Sequence, residues 1–258
     1  MALVTWFRSI IGVAALTAIA GAAQAQVRFT VDPKLSLAWW QVNPHMNHLW
    51  ATTCPQEPTW RPGEGRSAGW FFGAGLRTPK HGYGGDFDTT IVPVYPRFMP
   101  LPVCAEAVSG EIVAADTVQW RDVRGEVSVR ANALVTGEER RDEYAQQVVL
   151  EAKTYPSIRF TIDSVIDVRR SADTVKGTAV GVLHVHGVSK AMSAGLRAWP
   201  QSGGLRVLAK FHVPAMSLVD EFKLSRFALD LGVRTGIWYQ LHMGIDVVLR
   251  AVGSTSGG

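Results

Sequence analysis

Residues 125–135 read GEVSVRANALV, and this stretch decides the fold class. Val127, Val129, Ala131, Ala133 and Val135 alternate with other residues, the period of two that marks a half-buried strand. Moving outward, Ile158, Phe160 and Ile162 alternate in SIRFTID (157–163), and Val207, Ala209, Phe211 and Val213 do so in RVLAKFHV (206–213). Leu241, Met243, Ile245, Val247 and Leu249 repeat the pattern near the C-terminal end, and residues 27–31 and 35–42 read as the opening strands. Many strands with one apolar face and few helices imply an antiparallel sandwich or barrel and exclude a βαβ fold.

One or two short helices interrupt the strands. Thr136-Gly-Glu-Glu139 has the form of a capping box, with Glu138, Glu139, Asp142 and Glu143 at the end the helix dipole favours for acids. Tyr144, Val148 and Ala152 then form an i, i+4, i+8 stripe, and Tyr155-Pro156 ends the helix. A second helical piece is expected over Ser217–Phe227, with Leu218, Phe222 and Leu224 apolar.

Eight of the 13 prolines fall between residues 51 and 107, together with the glycine-rich run TWRPGEGRSAGWFFGAGLRTPKHGYGGDF. Proline removes ladder donors and glycine weakens regular elements, so 51–107 reads as an irregular insertion on a single domain spanning 26–258. Residues 1–25 read as a secretory signal peptide: Arg8, an apolar run from Ile10 to Ala23, and small residues at Ala23 and Ala25. The run is shorter than the ~20 residues of a membrane span, so no stable membrane insertion is expected after its removal. The compartment would be periplasmic or secreted. Cys54 and Cys104, the only two cysteines, are then expected to form a disulfide that staples the insertion, worth up to about 4 kcal/mol on the chain-entropy model.

At 47% hydrophobic and 19% charged residues, the chain has ample material for a core and is not disordered as a whole. The net charge of +4, from 26 basic and 22 acidic residues, is too mild to signal a nucleic-acid partner, and no basic run gives it direction.

Three stretches resemble the YceI-like family. RRDEYAQQVVLEAKTYPSIRFTID (140–163) is similar to its helix-to-strand signature: an Arg-Asp pair opening a helix, a Tyr-Pro, then a strand carrying Phe. VKGTAVGVLHVHGVSKAMSAGL (175–196) is similar to its next two strands, and FTVDPKLS (29–36) to its Asp-plus-Ser opening. The likeness covers residues 27–42 and roughly 108–252. It departs at the 51–107 insertion and at VDEFKLSRFALDLGV (219–233), which leaves one rim of the expected cavity undefined. The resemblance implies an extended antiparallel lipocalin-like β-barrel whose interior holds a polyisoprenoid, a quinone-like molecule or another amphipathic lipid.

Independently of the family, a closed barrel of about eight strands leaves an interior wide enough for side chains or one ligand. Small residues at inward positions, such as Ala131, Ala133, Gly181 and Ala209, would leave room there. Each buried methylene contributes about 0.8 kcal/mol, so a prenyl tail needs few polar contacts. Alternation nominates Val129, Ala131, Phe160, Ile162, Leu183, Val185, Phe211 and Val247 as cavity wall, while Trp39 and Trp40 fall on opposite faces.

Other chemistry has less support. His184 and His186 share a face if the strand continues through both, and they are expected to point to solvent. Two histidines do not complete a zinc site, and His45 and His48 have no carboxylate or cysteine at ligand spacing. No Gly-x-Ser-x-Gly elbow, His-Glu-x-x-His helix or phosphate loop occurs. Lys190 reads as a surface lysine at a turn. The expectation is a non-catalytic binding protein with no cofactor or metal; a homodimer is left open. The alternative is a protein-interaction module anchored by Trp60, Trp70, Phe71 and Phe72 of the insertion.

Overall fold

The computed structural model describes residues 26–44, 49–54, 106–117, 119–120, 122–136, 139–224, 234 and 238–252. Among the described residues, ten strands form one antiparallel sheet: β1 (Val27–Val31), β2 (Leu37–Pro44), β3 (Leu49–Thr52), β4 (Val108–Ala114), β5 (Arg124–Arg130), β6 (Ser157–Ser171), β7 (Thr174–Val185), β8 (Val188–Gln201), β9 (Gly204–Pro214) and β10 (Trp238–Ala251). The order β1-β4-β5-β6-β7-β8-β9-β10 returns to β1, so eight strands close a barrel, and the β2–β3 pair adds to β10. Full closure removes the exposed edges an open sheet would present.

The closing stave depends on one switch. Along β10, residues 241–246 pair with β2 (Leu241↔Val42 to Asp246↔Leu37), while its end pairs with β1 (Leu249↔Val31, Ala251↔Phe29). Between these ladders the chain kinks through Asp32–Ser36. The Val248 N–H donates to the buried Ser36 hydroxyl at 3.0 Å, the Asp32 N–H donates to the Val248 carbonyl at 2.7 Å, and Arg250 Nε donates to Asp32 Oδ2 at 3.2 Å. The Asp and Ser of the opening FTVDPKLS thus supply partners that the two ladders leave unmet at the switch.

Two expectations shift here. Alternation carried the β5 strand on through Val135, but β5 ends at Arg130. The Ala131 N–H donates to the Pro156 carbonyl and Ala131–Ala133 tighten into a 3-10 turn. Of the expected 51–107 insertion, Ala51–Cys54 are instead packed in the regular part of the fold, at the end of β3: all four are buried, and Thr52 exchanges backbone hydrogen bonds with Val135 at 3.0 Å each way. Residues 55–105 lie outside the described residues, as do 1–25. Cys54 is buried, while Cys104, and with it the expected pairing, lies outside them.

Both expected helices are found in shortened form: the one read as far as Tyr155 leaves helical geometry after Val149, and the one read over Ser217–Phe227 starts at Ala215 and ends at Asp220, with residues 225–227 outside the described residues. The first, α1 (Glu139–Tyr144), passes into a π-helical turn at Ala145–Val149; the second, α2 (Ala215–Asp220), follows β9. The expected capping box is not made. The Thr136 N–H and hydroxyl both donate to Asp142 Oδ1, so the threonine donates where a cap would accept, and Asp142 rather than Glu139 reaches back.

Candidate functional site

Inward residues of the strands build two apolar clusters. One holds Phe29, Val31, Val108, Ile112, Trp120, Val247 and Leu249 around β1, β4 and the end of β10. The other gathers Phe160, Leu183, Val185, Phe211 and Leu241 beneath α2 and the residues that follow it. Beside the second lies a cavity of about 230 Å³.

Of the eight residues nominated from sequence, Val129, Phe160, Leu183, Val185 and Phe211 line this cavity. The other three do not. Ala131 is buried in the turn beyond the end of β5, Val247 packs in the first cluster, and Ile162 lies half-buried against both clusters. Alternation identifies an inward side chain, but position along the strand decides which cluster receives it.

Sequence reasoning missed the cover. Tyr144, Ala145, Val149 and Leu150 reach the cavity from α1 and its π turn, and Leu218, Phe222 and Leu224 reach it from α2 and its exit. The expected Tyr144–Val148–Ala152 stripe fails because a π turn adds one residue per turn. The apolar face therefore moves to Val149 and Leu150, and Val148 is left 38% exposed. For α2 the signal was present: Leu218, Phe222 and Leu224 are the apolar positions of the second expected helix, and all three are buried.

Trp39 and Trp40 both border the cavity. Trp40 packs with the inner cluster, whereas the Trp39 indole lies on the outer side, where a Cβ on Gly244 would stand 2.3 Å from its ring. The indole fills the space that a side chain at 244 would take, closing the barrel wall from outside.

Two charged residues, Arg141 and Arg159, line an otherwise apolar enclosure. Arg141 Nε donates to Thr136 Oγ1 at 2.7 Å, which fixes the arginine at the cover. Arg159 is exposed and lies 3.4 Å from Glu126 Oε2. Lys190 joins Glu221, just beyond α2, at 3.5 Å.

The His184–His186 pair does not share a face. His184 points outward, with Nδ1 2.7 Å from Ser189 Oγ and Nε2 3.2 Å from Thr161 Oγ1. Strand β7 ends at Val185, and His186-Gly187 form a two-residue turn with φ of 52° and 74°, the double positive φ of a type I′ hairpin. The His186 side chain is only 10% exposed; its ring centroid is 4.4 Å from that of Tyr155 and its Nε2 3.5 Å from Glu151 Oε2. Burial pushes its pKa below the ordinary histidine value, and a hydrogen bond to the Phe222 backbone opposes that shift. Among the described residues no three His, Cys, Asp or Glu side chains are grouped to hold a metal ion; His45 and His48 lie outside them.

The model of the YceI-like domain matches residues 103–248, more than half of the chain. The chain belongs to the YceI-like family. Among solved structures, this YceI-like barrel is similar to BcnA of Burkholderia cenocepacia at 8% identity and a TM-score of 0.54, covering 84% of this chain and 98% of that one. It is also similar to a polyisoprenoid binding domain from Saccharophagus degradans implicated in plant cell wall breakdown, at 10% identity and a TM-score of 0.50, covering 87% and 98%. At such identities the likeness is one of fold. No curated protein matches in sequence.

Proposed function

We propose that this YceI-like protein is an exported, non-catalytic binding protein that holds the tail of a polyisoprenoid, a quinone-like molecule or another amphipathic lipid inside its barrel. The observation that carries the reading is the cavity itself, about 230 Å³ and walled by Val, Leu, Phe, Met and Ile side chains under a helical cover. Ligand sites for drug-sized molecules begin at roughly 300 Å³. A cavity just below that suits a narrow chain better than a bulky ring system, so part of a long tail would extend through the mouth. Burial at about 0.8 kcal/mol per methylene supplies the affinity. Arg141, held by Thr136 at the cover, gives the apolar lining a positive charge that would suit a polar or anionic head group. The S. degradans domain described as polyisoprenoid-binding supports the same ligand class through shared fold. The signal-peptide pattern of residues 1–25 supports export, and an oxidising compartment supports a Cys54–Cys104 disulfide.

Native mass spectrometry of the mature protein from its own host, with solvent extraction of bound material, tests the reading. A stoichiometric isoprenoid or quinone is expected, together with a protein mass lighter by two hydrogens for the disulfide. Leu183→Trp, which plugs the cavity, should abolish polyprenyl uptake. An empty barrel that takes up no polyprenyl lipid would overturn the proposal.

A further inference from the structure

A second concavity, of about 430 Å³, lies on the outer wall of the barrel across β6, β7, β8 and β9. Among the described residues, its lining carries the cations Arg169, Arg170, Lys176, Arg197 and Lys210 and the carboxylate Asp167. The strand register makes the arrangement unusual. Arg169 is directly opposite Lys176, and Lys176 directly opposite Arg197, so three neighbouring strands place like charges side by side. Opposed like charges destabilise a sheet.

The backbone is shaped to fit. The β6–β7 register shifts between Ile166 and Arg169, and Asp167 within this bulge has a left-handed φ of 53°. Bulges of this kind re-aim side chains, and beyond it the register brings Arg169 to the groove face opposite Lys176. At the floor, Thr178 pairs with Gly195 and Gly195 with Lys210, so short side chains leave a hollow between long basic ones. Lys210 is 7% exposed, with its Nζ 5.9 Å from the centroid of the Trp39 ring.

We propose that this groove binds an oligoanion carrying at least two phosphate-like groups, laid across Arg169, Lys176 and Arg197. Adjacent strands are about 4.8 Å apart, so the row spans roughly 10 Å, too wide for one phosphate to bridge. Guanidinium forks match phosphate oxygens in pairs, and an anion between the strands turns the repulsion of the row into attraction. The source of the phosphates is a free oligophosphate or the head groups of an anionic lipid surface. The site does not depend on what fills the cavity.

Titration calorimetry with inorganic tripolyphosphate, at low and high salt, tests the groove. Binding that weakens with salt is expected, and it should fall by at least about tenfold in Arg169→Ser/Lys176→Ser. Both residues are exposed on the outer face, and removing them relieves repulsion, so the double variant should melt no lower than the parent. Arg169→Lys, which keeps the charge but loses the fork, should bind more weakly than the parent and more tightly than the double variant. Flotation with phosphatidylcholine vesicles, with and without phosphatidylglycerol, distinguishes the source. Association that requires the anionic lipid and is lost in the double variant assigns head groups, whereas tripolyphosphate binding alone assigns a soluble anion. Absence of both kinds of binding at low salt, or binding unchanged in the double variant, overturns the proposal.

Discussion

Arg206 and Asp246 are 2% and 3% exposed, and each alternates along its strand with residues that face the barrel interior. Arg206 Nε donates to Asp246 Oδ1 at 2.8 Å, a second nitrogen bonds to Oδ2, and the guanidinium lies 5.3 Å from the Trp199 ring centroid. Burial pushes the Asp246 carboxyl up, and the guanidinium pulls it down. Desolvating two charges offsets most of their attraction, so the pair adds little net stability, while losing one partner strands the other charge. Asp246→Ala should cost about 3–5 kcal/mol, whereas Arg206→Met with Asp246→Leu should be near neutral or stabilising. Urea unfolding of the singles and the double gives the coupling. The alternation of RVLAKFHV put Arg206 outward, and it is. The pattern gives the face of a residue but not its depth, and no spacing signal tied positions 206 and 246 together.

The cover over the cavity is tied together by a turn. His186, at the tip of the β7–β8 hairpin, touches Tyr155 and Glu151, which follow the π turn, and the backbone of Phe222, which follows α2. Gly187 leaves room for this contact: a Cβ there would stand 2.8 Å from the Tyr155 ring. Because burial lowers the His186 pKa, the folded state prefers the neutral imidazole. The stability this contributes is complete above the unfolded value of about 6.5 and is lost as pH falls through the lower folded value. The urea midpoint should therefore drop between pH 7.5 and 5.5, with a smaller drop in His186→Phe; equal drops would show that His186 does not govern the step. The helices were legible in their existence. Their geometry was not, because a π turn and an early hairpin turn each displace a regular period by one residue. Val148 replaced by Val149 and Leu150, and His186 drawn under Tyr155, are the results.

Across the whole molecule, packing and hollow are divided. Of the buried residues in the cluster around β1 and β4, Ala38, Val127 and Val129 reach the cavity wall, whereas the other cluster surrounds the cavity. Barrel closure followed from the family resemblance, and the inward faces of β5, β6, β9 and β10 from the period of two. The division did not, since inward residues of both halves look alike in sequence, as Val185 at the cavity and Val247 in the packed end do. It predicts that stability and uptake separate by position. Ile112→Ala in the packed cluster should cost about 2–5 kcal/mol by leaving a void. Its ligand-induced stabilisation should nevertheless be intact, about 2.7 kcal/mol at a polyprenyl concentration of 100 Kd. Leu183→Trp should behave in the opposite way: a baseline lowered by at most about 1–3 kcal/mol from overpacking, or raised where the indole fills the hollow, with no ligand increment. Denaturant curves with and without lipid for the parent and both variants give all the required differences. Loss of the increment in Ile112→Ala, or its survival in Leu183→Trp, would show that the lipid does not occupy the cavity beneath α2.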